Sequence, residues 1–167
     1  MPDVPPGPDD LTHVDATGAA RMVDVTGKDA SVRVATATGV VVTTAEVVEL
    51  VRSSALKKGD AIGTARIAGI MAAKRTPDLL PLCHPIALGG VHVDIDLHDE
   101  GRIAIIAEVR TNDRTGVEME ALTAVAVAGL TMIDMIKAVD PAATLTDIEV
   151  MSKLGGKTGT WTRPADR

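Results

Sequence analysis

Polar and apolar residues change rhythm several times along this chain, and each rhythm predicts an element. Ser31–Thr43 (SVRVATATGVVVT) is rich in β-branched residues and predicts a strand. Val91–His98 (VHVDIDLH) and Arg102–Arg110 (RIAIIAEVR) alternate with period two, and Asp99-Glu100-Gly101 between them predicts a hairpin with Gly101 in its turn. Leu145–Met151 reads as a last strand. Helical stretches lie between. Thr43 and Glu46 form a capping-box pair ahead of a helix that runs to Ala55. Asp60 is the N-cap candidate for a second helix, Ala61–Arg75, which Thr76-Pro77 should end. Leu79–Leu88 (LLPLCHPIAL) holds two prolines and predicts an irregular, mostly buried segment. The longest helix, Val117–Val139, opens on a second capping-box pair, Thr115 and Glu118, and Pro141 follows it.

The predicted order is β-α-α-β-β-α-β. Setting one helix aside leaves β-α-β-β-α-β, the ferredoxin-like arrangement of the α+β class, an antiparallel sheet packed against helices with one extra helix. A disordered tail is expected over residues 1–10, a single domain over 11–161 and a short tail over 162–167.

The long helix carries the most unusual pattern. Glu118 and Glu120 precede 13 uncharged residues, Ala121 to Ile133, and Asp134 and Lys137 follow. A helix apolar all round is a buried helix, so charges at both ends need a reason. Asp134 lies 14 positions after Glu120, close to the same helix face and roughly 21 Å away along the axis. One small-molecule site does not easily use both ends. Two chains bringing opposite ends together would make a site shared between subunits.

Composition narrows the classes. The chain has 167 residues, 46% of them hydrophobic, with no Phe or Tyr and a single Trp, Trp161. The core is therefore built from Val, Ile, Leu, Ala and Met. A net charge of −6 and the missing aromatics disfavour nucleic-acid binding. An anionic ligand must meet a local basic cluster, such as Lys57, Lys58, Arg66, Lys74 and Arg75, or Lys153 and Lys157. No uncharged apolar run reaches the length of a membrane span, and the lone Cys83 fits a reducing, cytoplasmic location.

Several motifs invite chemistry, each beside a plainer reading. Gly156-Lys157-Thr158 lacks the earlier glycine of a phosphate-binding P-loop, because Met151 stands there, and no helix follows; backbone N–H groups and Lys157 could still close over phosphates. His92, Asp94, Asp96 and His98 share one strand face, either a metal site or an ordinary solvated face. Cys83 and His84 are neighbours whose side chains point apart in extended backbone, which weakens a nucleophile–base pairing. Asp134 and Lys137 are either an i,i+3 ion pair or a buried proton-transfer group.

In sequence, MVDVTGK, KGDAIGTARIAGIMAAKRTPDLLPLCHPI, RTGVEMEALTAVAVAGLTMIDMIKAV and SKLGGKTG closely resemble the cyclic pyranopterin monophosphate synthase family of molybdenum cofactor biosynthesis. The likeness covers nearly the whole chain. It implies a ferredoxin-like fold and a homohexamer, a trimer of dimers with interfacial active sites. It implies cyclic dihydro-GTP as substrate, and cyclic pyranopterin monophosphate and pyrophosphate as products. No redox cofactor is required; Mg²⁺ can accompany the triphosphate. By the same resemblance Asp134, Lys137 and Lys58 are the catalytic residues. Leu82, Cys83 and His84 form one substrate-binding strip, and Met119 and Glu120 another. Glu118 sits beside the pterin-forming ring, and Arg33, Lys153 and Lys157 are phosphate-binding candidates. Arg114, Leu154 and Gly63 depart from the usual lysine, small residue and alanine at their positions. The competing classes are a metal-dependent nucleotide phosphohydrolase using the His92–His98 face and a non-catalytic oligomeric nucleotide-binding module.

Overall fold

The computed structural model describes residues 17–157 and 159–165. The tail expected over residues 1–10 and Thr158 of the glycine loop lie outside the described residues. Elements follow in the order β1 (Ser31–Val42), α1 (Ala45–Arg52), α2 (Ala61–Ala73), α3 (Thr76–Leu79), β2 (Leu88–His98), β3 (Arg102–Asp113), α4 (Glu118–Ile136), β4 (Thr144–Leu154) and β5 (Trp161–Thr162).

Among the described residues the sheet has five strands in the order β2-β3-β1-β4-β5, every neighbour antiparallel. Its first four strands reproduce the ferredoxin-like order, as the rhythm of the sequence predicts. Alternation decides which side is the core. Ala35, Ala37 and Val41 of β1 and Ile103, Ile105, Ala107 and Val109 of β3 are buried. They meet Ala121, Ala124, Val125, Ala128, Met132 and Ile136 of α4. α2 lies against α4 and β2. That crossing is close because its side chains are small: a Cβ on Gly69 would stand 2.9 Å from the Ala124 carbonyl oxygen and 3.2 Å from the Ala128 Cβ. α4 has the length and apolar character of a membrane span, yet 56% of that span is buried inside the fold, where it serves as the core helix.

Element boundaries depart from expectation where side chains take other partners. Thr44, not Thr43, caps α1, accepting from the Val47 N–H, while the Thr43 hydroxyl donates to Asp140 Oδ2 at 2.7 Å. α2 ends at Ala73, and a separate helical turn, α3, begins at Thr76 with Pro77 in its first turn. Asp60 caps α2 as expected, accepting from the Gly63 N–H. The capping box expected at Thr115 and Glu118 does not form: Val117 is the N-cap and α4 starts without a side-chain cap. The 79–88 segment is irregular as read but not mostly buried, since Leu79 and Leu82 are exposed. Gly101 occupies the hairpin turn at φ +81°, packed on the Thr43 carbonyl, where a side chain would not fit. β5 was not foreseen.

Candidate active site

Both ends of α4 carry side chains brought together from distant parts of the chain. At its N-terminal end, Glu118, Met119 and Glu120 border a recess of about 430 Å³ with Leu82, Cys83, His84, Thr115 and Gly116. Val23, Val25 and Lys28 close the other side. His84 Nε2 donates to the Val23 carbonyl at 2.7 Å, so this nitrogen carries the proton, and the bond fastens the Val23–Val25 wall across the recess. That bond leaves Nδ1 as the ring nitrogen free to accept a proton. Burial pushes the Cys83 thiol up, and the Glu120 charge adds to the effect, which keeps the sulfur protonated and poorly nucleophilic.

Glu120 is only 3% exposed. Burial lifts its carboxyl to about 7, against a bond from its own backbone N–H and with help from the Glu118 charge. A carboxyl poised there can hold or release a proton near neutral pH.

A second recess, about 210 Å³, adjoins the first and shares Lys28, Thr115, Gly116 and Glu118 with it. Arg33, Arg114, Lys153 and Lys157 complete a cationic lining. Arg33 is anchored through Nε to the Asp113 carbonyl (2.9 Å) and through Nη2 to the Arg114 carbonyl (3.0 Å). A Cβ on Gly156 would meet Arg33 Nη1 at 2.5 Å, so glycine there leaves room for the guanidinium. Lys153 Nζ stands 3.4 Å from Glu118 Oε1. Glu118 is thus tied to the cationic recess instead of capping its helix. The uncapped start of α4 adds its positive dipole end to the same place.

The third group lies at the other end of α4. Asp134 Oδ1 meets Lys137 Nζ at 2.7 Å, and Asp134 Oδ2 meets Lys58 Nζ at 3.0 Å. The hydrogen bonds from Lys137 and Lys58 hold the Asp134 carboxyl down at about 2. All three side chains are at least 40% exposed, so the burial expected of Lys137 is absent in a single chain.

Sequence reasoning missed Lys28, which lines both recesses. Asp24 accepts from the Thr26 N–H (2.8 Å) and hydroxyl (2.7 Å), and the Lys28 N–H bonds the Val25 carbonyl (3.1 Å), fixing the turn that presents Lys28. Its signal was the MVDVTGK segment itself. His92, Asp94, Asp96 and His98 do line an exposed strand face, with His92 Nε2 2.9 Å from Asp94 Oδ2. Among the described residues no three His, Cys, Asp or Glu side chains gather closely enough to hold a metal ion.

The MoaC family model matches residues 22–156, which takes in all three groups except Lys157. The chain belongs to the MoaC family. It is 60% identical over 159 residues to the cyclic pyranopterin monophosphate synthase of Streptomyces avermitilis, covering 95% of this chain and 93% of that relative. It is 62% identical over 156 residues to the same-named protein of Nocardioides sp., covering 92% and 96%. The Rhodospirillum rubrum synthase is 56% identical over 155 residues, covering 92% and 93%. This MoaC chain keeps the ferredoxin-like fold and adds a two-residue fifth strand at its sheet edge.

Proposed function

We propose that this enzyme of molybdenum cofactor biosynthesis converts (8S)-3',8-cyclo-7,8-dihydroguanosine 5'-triphosphate to cyclic pyranopterin monophosphate and pyrophosphate. The observation that carries this reading is the junction of two recesses of opposite character at the start of α4. The cationic one, with Lys28, Arg33, Arg114, Lys153 and Lys157, suits a triphosphate. The adjoining one, with His84, Glu118 and Glu120, suits a ring whose atoms gain and lose protons. Forming a cyclic phosphate while expelling pyrophosphate builds negative charge on the leaving group, which fixed cations stabilise.

Lys58, Asp134 and Lys137 are the acid–base group in this reading. They belong to one chain but stand at the far end of α4 from the recesses, so a neighbouring copy brings them to the substrate. Two features support that. Val127, Leu130 and Asp134, at spacings of three and four, share one face of α4. Leu130, with Ile67 and Met71 of α2, is at least half exposed, an apolar surface suited to a second copy. Val32, Ile106 and Ile148 are exposed on the sheet as well, which gives a hexamer more than one contact surface. No redox cofactor enters the scheme, and Mg²⁺ enters only as a companion of the triphosphate. The single Cys83 suits a cytoplasmic enzyme.

The deciding experiment is pyrophosphate release from freshly prepared substrate, with cyclic pyranopterin monophosphate quantified alongside, in the presence and absence of EDTA. Matched release of both products supports the synthase. EDTA-sensitive hydrolysis without the cyclic product replaces it with a metal-dependent phosphohydrolase, and binding without release replaces it with a binding module.

A further inference from the structure

Trp161 is the chain's only Trp, and there is no Phe or Tyr. It does not serve the core: it sits in β5 at the sheet edge, 38% exposed. Its position is nevertheless tightly set. Trp161 pairs directly opposite Lys153 of β4, so their side chains stand on the same face of the ladder. Arg163, two residues on, clamps the segment to β4 three times. Its backbone N–H bonds the Met151 carbonyl (2.8 Å), its Nε bonds the Val150 carbonyl (2.8 Å), and its Nη1 pairs with Glu149 Oε2 (3.0 Å). Two strand residues alone would hold such a segment weakly.

The clamped indole walls a recess of about 430 Å³ with Glu118, Val150, Lys153 and Thr160. Glu118 and Lys153 also line the cationic recess, and Glu118 lines the third. The indole thus flanks the one carboxylate common to all three spaces. The Trp161 recess is a poorer phosphate site than its cationic neighbour, because Lys153 is the single cation among its described lining residues, against five in the other. An aromatic face beside a carboxylate suits the outer edge of a guanine-type ring that reaches over Glu118 from the recess of His84 and Glu120. The ring's N–H edge donates to the carboxylate while its π face packs on the indole.

Resting on the function proposed above, we propose that Trp161 is a specificity-determining residue of the site. Its indole is the platform on which the planar heterocycle of the purine-derived substrate packs beside Glu118. Arg163 is then a positioning residue that acts through Trp161.

Steady-state kinetics with the cyclised substrate test this directly. Trp161→Ala should raise KM about ten-fold, the size of one lost base–aromatic contact. It should leave kcat nearly unchanged, and Trp161→Phe should restore KM. Pyrophosphate affinity, measured by calorimetry, should be the same in all three proteins. In the unmodified protein GTP should quench the fluorescence of Trp161, and pyrophosphate should not. An unchanged KM in Trp161→Ala, an equal loss of pyrophosphate affinity, a changed oligomer size, or no quenching by GTP would each overturn the proposal. If the unmodified protein turns over no cyclised substrate, the functional reading fails, and the GTP and pyrophosphate fluorescence pair still decides the role of Trp161.

Discussion

The two ends of α4 carry the same kind of group in opposite states. Glu120, at the first turn, is buried, and its carboxyl is lifted to about 7. Asp134, fourteen residues on, is exposed, and its carboxyl is held at about 2 by Lys137 and Lys58. One helix therefore presents a carboxylic acid near its switching point and a carboxylate that stays charged. The difference comes from neighbours alone: burial beside another carboxylate at one end, two ammonium groups in water at the other. Acid–base roles can thus be read from environments better than from residue type.

The largest effect should come from the charged end. Lys137→Ala should lower pyrophosphate release by about 10²–10⁴-fold, the usual contribution of a positioned acid or base. Its oligomer, followed by light scattering, should survive. Near-normal turnover would remove Lys137 from the chemistry.

A mixing experiment asks whether the two ends meet across chains. Subunits with His84→Ala and subunits with Lys137→Ala, each inactive alone, should regain activity in mixed oligomers. Mixing Lys58→Ala with Lys137→Ala should regain none, because both lysines hold Asp134 of the same chain. The reverse pattern would break the proposed geometry.

The buried end should show itself in stability. The folded chain keeps a proton on Glu120 that an unfolded chain, near the ordinary value of 4.5, releases. Stability from that proton is full below pH 4.5 and is lost as pH rises through 7. Glu120→Gln should flatten this fall in urea-unfolding profiles, and an unaltered slope would mean that Glu120 is solvated. The smallest effect should be Asp134→Asn on thermal unfolding. Its ion pairs are exposed and screened, so the melting temperature should barely move while turnover drops. A large loss of stability would show that this end is also buried, as it would be inside an oligomer.

Much of the fold was legible because alternation and apolar runs are strong local signals. β2 and β3 begin and end close to where period two does, and Gly101 marks their turn. What escaped depends on partners far away in sequence. Two adjacent threonines precede α1, and only Asp140, 97 positions from Thr43, decides which one is the cap. Glu118 looked like a helix cap until Lys153 claimed it. Lys28 was given no role of its own, since nothing local shows that His84 pins the neighbouring wall over a recess. β5 is two residues long, too short to carry a period. Spacing paired Asp134 with Lys137 in the sequence, family likeness alone added Lys58, and the chain assembles all three itself.

β2 has one further consequence, concerning how this chain avoids binding itself wrongly. It is the outermost strand of its side of the sheet, and an unpaired strand offers its backbone groups to any other extended chain. Here Arg66 Nε occupies the Val93 carbonyl at 2.9 Å, and His92, Asp94, Asp96 and His98 charge or hydrate one whole face. A second strand laid alongside in register would stack Asp94 and Asp96 against their own copies. The pattern that resembles a metal site in the sequence therefore disfavours in-register pairing at this edge, by the same repulsion that charged residues on an edge strand exert generally.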